Sequence, residues 1–126
     1  GRLVSNMSPM VAWHEDGTTL AMGSPGASRI TTTIFQGWLQ FAYEEMSFEE
    51  TVRAPRLHVE NINNEFVVQF EPGIDVSLVS DHFKLRPFTE QDMYFGALNI
   101  AGSDSLGKLH ALADNRRHGA QYISGR

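Results

Sequence analysis

Residues 23–30 read Gly23-Ser24-Pro25-Gly26-Ala27-Ser28-Arg29-Ile30. Six residues that favour loops end at Ser28, and a different pattern begins there. Ile30, Ile34, Phe35, Trp38, Leu39, Phe41 and Ala42 fall mostly three and four apart. That spacing predicts a helix over about residues 28–45 with one wide apolar face, the core helix of the fold. Thr31, Thr32 and Thr33 lower its propensity, and Gly37 costs about 1 kcal/mol relative to Ala, so the helix needs packing to hold it. Upstream, Met10–Trp13 and Thr18–Met22 flank Glu15-Asp16-Gly17. An Asp-Gly turn between two apolar runs predicts a β-hairpin. Residues 23–30 therefore join a strand to the N-terminus of a helix.

The first amides of a helix lack internal partners and lie at the positive end of its dipole. Small residues in this segment leave such amides open to a ligand oxygen, which makes an anion or oxyanion site. A tight, capped turn is the other reading of the same residues. Arg29 places a cation where it opposes the dipole, so a partner is expected, a carboxylate of the fold before an acidic ligand group. Ser5-Asn6-Met7-Ser8-Pro9 offers two adjacent short side chains, Ser5 and Asn6, able to donate to a carboxylate. Asn6-Met7-Ser8 also fits a glycosylation sequon, a short pattern frequent by chance.

Further along, Ser47-Phe48-Glu49-Glu50 has the capping-box pattern, and Pro55 ends the short helix that follows. Leu57–Glu60 and Glu65–Phe70 read as strands flanking Asn61-Ile62-Asn63-Asn64. Residues 75–83 suggest a short helix and 93–101 a strand. Residues 102–107 suggest a turn, 109–113 a last strand and 114–126 a polar, irregular tail. The sum is α+β, mostly antiparallel, in one unit over residues 1–126. The βαβ alternation of a parallel sheet is absent.

Composition narrows the function. The 126 residues hold 10 basic and 15 acidic side chains, a net charge of −5, which argues against a nucleic-acid partner. There is no cysteine, so disulfides and thiol nucleophiles are excluded. No apolar run approaches the roughly 20 residues that span a bilayer. His14, His58, His82, His110 and His118 show no metal-ligand spacing, and each is expected at the surface or hydrogen-bonded. No nucleotide-binding loop pattern occurs, so no cofactor is expected. The chain begins with Gly1 rather than Met, which suggests a cut or processed start, and residues 1–12 show no signal-peptide pattern.

Five segments, in order, resemble the γ-glutamyltranspeptidase family. Gly23-Ser24-Pro25-Gly26-Ala27-Ser28-Arg29-Ile30 is similar to G-S-P-G-G-S-R-I, and Ser5-Asn6-Met7-Ser8-Pro9 to S-S-M-[ST]-P. Ala54-Pro55-Arg56-Leu57-His58 is similar to A-P-R-[FL]-H, and Tyr94-Phe95-Gly96 to Y-F-G. Residues 113–120, Ala-Asp-Asn-Arg-Arg-His-Gly-Ala, are similar to A-D-P-R-R-[DS]-G-A. The resemblance covers nearly all of this chain and the C-terminal two-thirds of that family's small subunit.

The resemblance implies an N-terminal-nucleophile (Ntn) hydrolase with an αββα sandwich, in which a Thr freed by self-cleavage attacks the γ-glutamyl amide of glutathione-type substrates. It implies Ser5 and Asn6 at the substrate carboxylate, with Asn6 in place of the family's second serine. It implies the main-chain amides of Gly26 and Ala27 as oxyanion hole, with Ala27 in place of a glycine. At positive φ that Ala would be strained by roughly 1–2 kcal/mol. The nucleophile is expected upstream of this chain, and Thr31–Thr33 lie inside the helix without a free amine. The chain alone is thus expected to be inert, with the large subunit and the N-terminal part of the small subunit as partners. Cut free, it is expected to expose apolar surface and self-associate. A periplasmic, secreted or membrane-anchored location follows only from the resemblance. The alternatives are a related acylase acting on a cephalosporin-type or other amide, suggested by Asn6 and Ala27, and a non-catalytic scaffold module.

Overall fold

The computed structural model describes residues 1–2 and 5–125. Leu3, Val4 and Arg126, the last residue of the expected tail, lie outside the described residues. Strands β1 (Met10–Trp13) and β2 (Thr19–Gly23) form the expected hairpin, with Met10 opposite Met22 and Trp13 opposite Thr19. Its turn is set by Asp16, whose Oδ1 accepts from Thr18 N at 2.8 Å. Helix α1 spans Arg29–Ala42 and helix α2 spans Phe48–Arg53. α2 starts in a full capping box: Ser47 Oγ accepts from Glu50 N at 3.1 Å, and Glu50 Oε2 accepts from Ser47 N at 3.0 Å.

Strands β3 (Leu57–Ile62) and β4 (Glu65–Phe70) are joined by two residues, Asn63 and Asn64, both at positive φ. Asn tolerates that conformation, so the hairpin runs two residues further than the expected Asn61–Asn64 loop allowed. After β5 (Lys84–Pro87) come β6 (Asn99–Ser103) and β7 (Leu109–Leu112). One sheet has the order β1-β2-β6-β7 and is wholly antiparallel. The other has the order β3-β4-β5, with β5 parallel to β4. The fold is α+β.

The core lies between α1, α2 and the four-stranded sheet. Leu20 and Met22 of β2 alternate inward to meet Ile30 and Ile34 of α1, Phe48 and Val52 of α2, and Leu98 and Ile100. Gly37 lets α1 close on that sheet, because a Cβ there would stand 2.7 Å from Leu98 Cδ2.

Three expected elements differ. Residues 75–83 form successive single turns, not a helix: Asp75 Oδ1 binds Ser77 N, and Val76 O takes Val79 N and Ser80 N without propagation. Leu78 is 90% exposed, so no apolar face was available to stabilise a helix. Residues 93–101 are not one strand. Asp92 caps a 3₁₀ turn, Met93–Phe95, Gly96 follows at φ +81°, and extended backbone begins only at Asn99. β6 consequently reaches Ser103, and the tight turn starts at Asp104, whose Oδ1 accepts from Leu106 N and Lys108 N. The tail contains a 3₁₀ turn, Asn115–Arg117, anchored by buried Asp114 and Arg116.

Candidate functional site

The loop from Gly23 to Ser28 rests on the turn at Tyr94-Phe95-Gly96. Backbone meets backbone: a Cβ on Gly26 would lie 3.1 Å from Gly96 Cα. A Cβ on Gly96 would lie 2.7 Å from Ser24 Oγ and 2.9 Å from Pro25 O. Three side-chain bonds tie the two segments and the helix together, and a fourth braces the loop itself. Ser24 Oγ donates to Pro25 O at 2.7 Å and accepts from Ala97 N at 3.1 Å. Thr33 Oγ1 donates to Phe95 O at 2.7 Å, and Arg29 Nε donates to Tyr94 O at 3.1 Å.

Gly26 O and Ala27 O accept from Arg29 N and Ile30 N, so the chain coils into α1 before the helix proper. The N–H groups of Gly26, Ala27 and Ser28 meet no acceptor among the described residues, and Ser28 supplies no side-chain cap. The tight turn is therefore uncapped, and three consecutive amides stand free at the positive end of α1. Gly26 has φ +129° and Ala27 has φ +52°. Ala27 thus occupies the left-handed region at a cost of roughly 1–2 kcal/mol. Ala27→Gly should raise stability by a net ~0.5–1 kcal/mol, since the entropy of an added glycine offsets part of the relief. Thermal denaturation of the two proteins checks this, and an unchanged or lower Tm would contradict it.

Arg29 finds no carboxylate partner of the fold among the described residues. Its guanidinium lies 4.5 Å from the centre of the Tyr94 ring, and Nη1 donates to Ser28 Oγ at 3.0 Å. The face of an aromatic ring and a carbonyl serve in place of a carboxylate. Behind it, buried His58 shares a 2.9 Å hydrogen bond with Thr32 Oγ1. Burial, then the Arg29 charge, hold His58 below its ordinary pKa. Tyr94 OH donates to Glu60 Oε2 at 3.0 Å, and Gln69 Nε2 donates to the same oxygen at 2.9 Å. Burial, then Glu60, push the Tyr94 hydroxyl up.

Below the platform lies a buried group of two cations and two anions. Arg56, Glu71 and Asp114 are almost wholly buried, and Arg116 is 8% exposed. Arg56 Nη1 donates to Asp114 Oδ2 at 2.6 Å, and Arg116 Nε to Glu71 Oε2 at 2.9 Å. Arg116 also reaches Asp114, Val52 O and Ala54 O. The same carboxylates hold backbone: Glu71 accepts from Arg56 N and Asp92 N, and Asp114 Oδ2 from Leu98 N, each at 2.7–2.8 Å. Burial raises the Asp114 pKa, but the Arg56 charge and these bonds outweigh it and hold the carboxyl below its ordinary value. Arg56 Nε is left without a partner.

All five motif segments lie within one continuous family match. The γ-glutamyltranspeptidase family pattern matches residues 1–124. The chain belongs to the γ-glutamyltranspeptidase family. A glutathione hydrolase proenzyme of Pseudomonas aeruginosa is 27% identical over 123 residues, covering 97% of this chain and 22% of that relative. An acylase ACY 1 proenzyme of a Pseudomonas species is 37% identical over 59 residues, covering 47% of this chain and 11% of the relative. The γ-glutamyltranspeptidase of Pseudomonas nitroreducens shares the fold, with a TM-score of 0.78 at 21% identity, covering 99% of this chain and 65% of that one. The chain thus spans about a fifth of the length of the first of these curated relatives.

Within this γ-glutamyltranspeptidase-family chain, Ser5 and Asn6 are exposed, and no hydrogen bond links them to residues 23–30. Ser5 Oγ accepts from Met7 N at 3.3 Å, and the Asn6 side chain has no hydrogen bond among the described residues. The platform at 92–98 and the role of Glu71 were not foreseen. The Y-F-G segment was visible as a motif, but nothing in its pattern showed that glycine must meet glycine. Among the described residues no group of three His, Asp or Glu side chains is placed to hold a metal ion.

Proposed function

We propose that this chain supplies the oxyanion-hole amides and part of the carboxylate site of a γ-glutamyl-transferring or γ-glutamyl-hydrolysing enzyme of the Ntn class. The observation behind this reading is the set of free amides at Gly26, Ala27 and Ser28. Backbone donors of this kind stabilise the charge that develops on an amide oxygen when a nucleophile attacks, and being fixed they need no reorganisation. Because the main chain donates, Ala27 serves as well as glycine once its left-handed φ is imposed by the Gly26–Gly96 contact. Ser5 and Asn6, both exposed, are the donors for the substrate carboxylate. The nucleophilic Thr lies on residues outside this chain, which alone is inert.

The rest of the parent protein would cover the outer face of the four-stranded sheet. Val11, Ala21, Ala101 and Ala111 form one cross-strand row there, and Val11 and Trp13 are 72% and 80% exposed. An uncovered row of this kind favours self-association of the free chain.

The test is to express the parent gene and follow nitroaniline release from γ-glutamyl-p-nitroanilide. Self-cleavage before a Thr, followed by release, is expected. Ser5→Ala should raise KM about tenfold or more, because a charge-assisted hydrogen bond worth about 1.5–3 kcal/mol is lost. Cleavage without turnover of any γ-glutamyl amide would refute the substrate class. Preferential turnover of glutaryl amides would support the acylase reading, which Asn6 and the likeness to an acylase proenzyme favour.

A further inference from the structure

Arg29 stands in the first turn of α1, where the helix dipole disfavours a cation, and that turn holds no acidic residue to offset it. A helix that needed only stability would carry an acidic or neutral side chain there. The contacts of the guanidinium show what it does instead. Nε donates to Tyr94 O at 3.1 Å, the guanidinium carbon lies 4.5 Å from the centre of the Tyr94 ring, and Nη1 donates to Ser28 Oγ at 3.0 Å. Tyr94 is itself held, by its bond to Glu60 and by stacking on Phe88 at 5.4 Å. Thr32 and Thr33 of the same turn bond His58 and Phe95 O, but neither bonds the loop. Among the described side chains of α1, Arg29 alone hydrogen-bonds both a loop residue, Ser28, and the 94–96 turn.

We propose that Arg29 is a positioning residue for the amides of Gly26, Ala27 and Ser28, pinning the start of α1 to Tyr94 so that those amides keep one direction. This role rests on the oxyanion reading of those amides and adds the residue that aims them. A main-chain donor stabilises a developing charge best when its direction is fixed before the reaction. The loop does not fix its own direction: Gly26 and Ala27 both have positive φ, and Ser28 gives no cap. Gly26 O accepts from Arg29 N at 3.0 Å, so the clamped residue is one hydrogen bond from the loop backbone. Direct binding of the substrate carboxylate would be a different role. The Nε edge of the guanidinium is already used on Tyr94 O, one face lies on the ring and Nη1 is turned to Ser28, which are the contacts of a clamp and not of an open fork.

Two measurements on Arg29→Lys test this. Lys keeps the charge, but one ammonium cannot reach Tyr94 O and Ser28 Oγ while covering the ring as a planar guanidinium does. In the full chain, hydrogen exchange is followed at Ala97 N, which donates to Ser24 Oγ and so reports the seating of the loop. It is followed also at Glu71 N, which donates to Arg56 O beside the buried charge cluster. Exchange at Ala97 should quicken at least about tenfold while that at Glu71 stays within about twofold, the mark of a local opening. In the parent enzyme, with γ-glutamyl-p-nitroanilide, kcat should fall at least about tenfold with KM within about twofold, since the oxyanion forms only in the transition state. Arg29→Gln, which loses the charge as well, should show the same pattern.

Unchanged exchange at Ala97, or equal quickening at Ala97 and Glu71, would leave Arg29 no local hold on the loop and overturn the proposal. A raised KM with kcat kept would make Arg29 a ligand of the substrate, and a kcat kept in Arg29→Lys but lost in Arg29→Gln would assign the effect to charge alone; either overturns positioning. Quickened exchange at Ala97 with kcat and KM both unchanged would refute the oxyanion reading itself, which separates its failure from that of the clamp.

Discussion

Replacing Arg116 by Met is expected to lower stability by about 3–5 kcal/mol, a large share of what a domain of this size has. Arg116 binds both oxygens of Glu71, both oxygens of Asp114, and the carbonyls of Val52 and Ala54. Without it, Glu71 remains fully buried with only the amides of Arg56 and Asp92 as close partners. The penalty is that of an uncompensated buried charge, not the net worth of an ion pair. Two further variants separate these. Arg116→Lys should remain strongly destabilising, because one ammonium cannot span two carboxylates and two carbonyls as a planar guanidinium does. Arg116→Met combined with Glu71→Gln should recover part of the loss, since the neutral amide no longer strands a charge. Urea denaturation midpoints measure all three, and a loss below about 1 kcal/mol for Arg116→Met would show that Glu71 is relieved by water or by a protonation change.

The readable parts of this fold are those where a local rule and the final packing agree. Asp16-Gly17 specifies its hairpin by turn chemistry alone, and Ser47 with Glu50 specifies the start of α2 in the same way. The long helix is readable because burial of Ile30 and Ile34 follows its 3.6-residue period. β5 was not readable. It is a four-residue edge strand with all its residues exposed, so no alternation marks it, and Pro87 at its end reads as a breaker. The charged cluster was hidden for a different reason. Arg56, Asp114 and Arg116 stand in two of the motifs, but nothing in those motifs shows that they are buried, or that Glu71 joins them; only long-range folding brings Arg56, Glu71 and the Asp114–Arg116 pair into one buried group. Of the candidate site, the small-residue loop was legible as an opening for an anion, whereas its support was not. The left-handed φ of Ala27 and the lack of a cap at Ser28 are properties of the loop seated on Gly96.

Gly96→Ala provides the sharpest test of that seating. The new Cβ would stand 2.7 Å from Ser24 Oγ, 2.9 Å from Pro25 O and 3.0 Å from Thr33 Oγ1. Ser24 and Thr33 cannot both retreat, because each already ties the loop or the helix to the 95–97 backbone. Pro25 O is main chain, and relief there means lifting the loop. Overpacking costs about 1–3 kcal/mol, and an L residue at φ +81° adds roughly 1–2 kcal/mol, so a loss of about 2–5 kcal/mol is expected. If the loop lifts, Gly26 and Ala27 lose the contact that holds their amides in line. In the parent enzyme kcat should then fall further than KM rises, because the oxyanion forms only in the transition state. Loss of one such donor alone is worth about 10²–10³ in kcat. Ser24→Ala provides the comparison: it removes the hydroxyl nearest the clash and its bond from Ala97 N but leaves Gly96 and the backbone contact intact. Gly96→Ala combined with Ser24→Ala should regain at most a small part of the stability and none of the kcat, since the clash with Pro25 O and the positive φ persist. Full recovery of kcat in the double variant would place the oxyanion donors elsewhere.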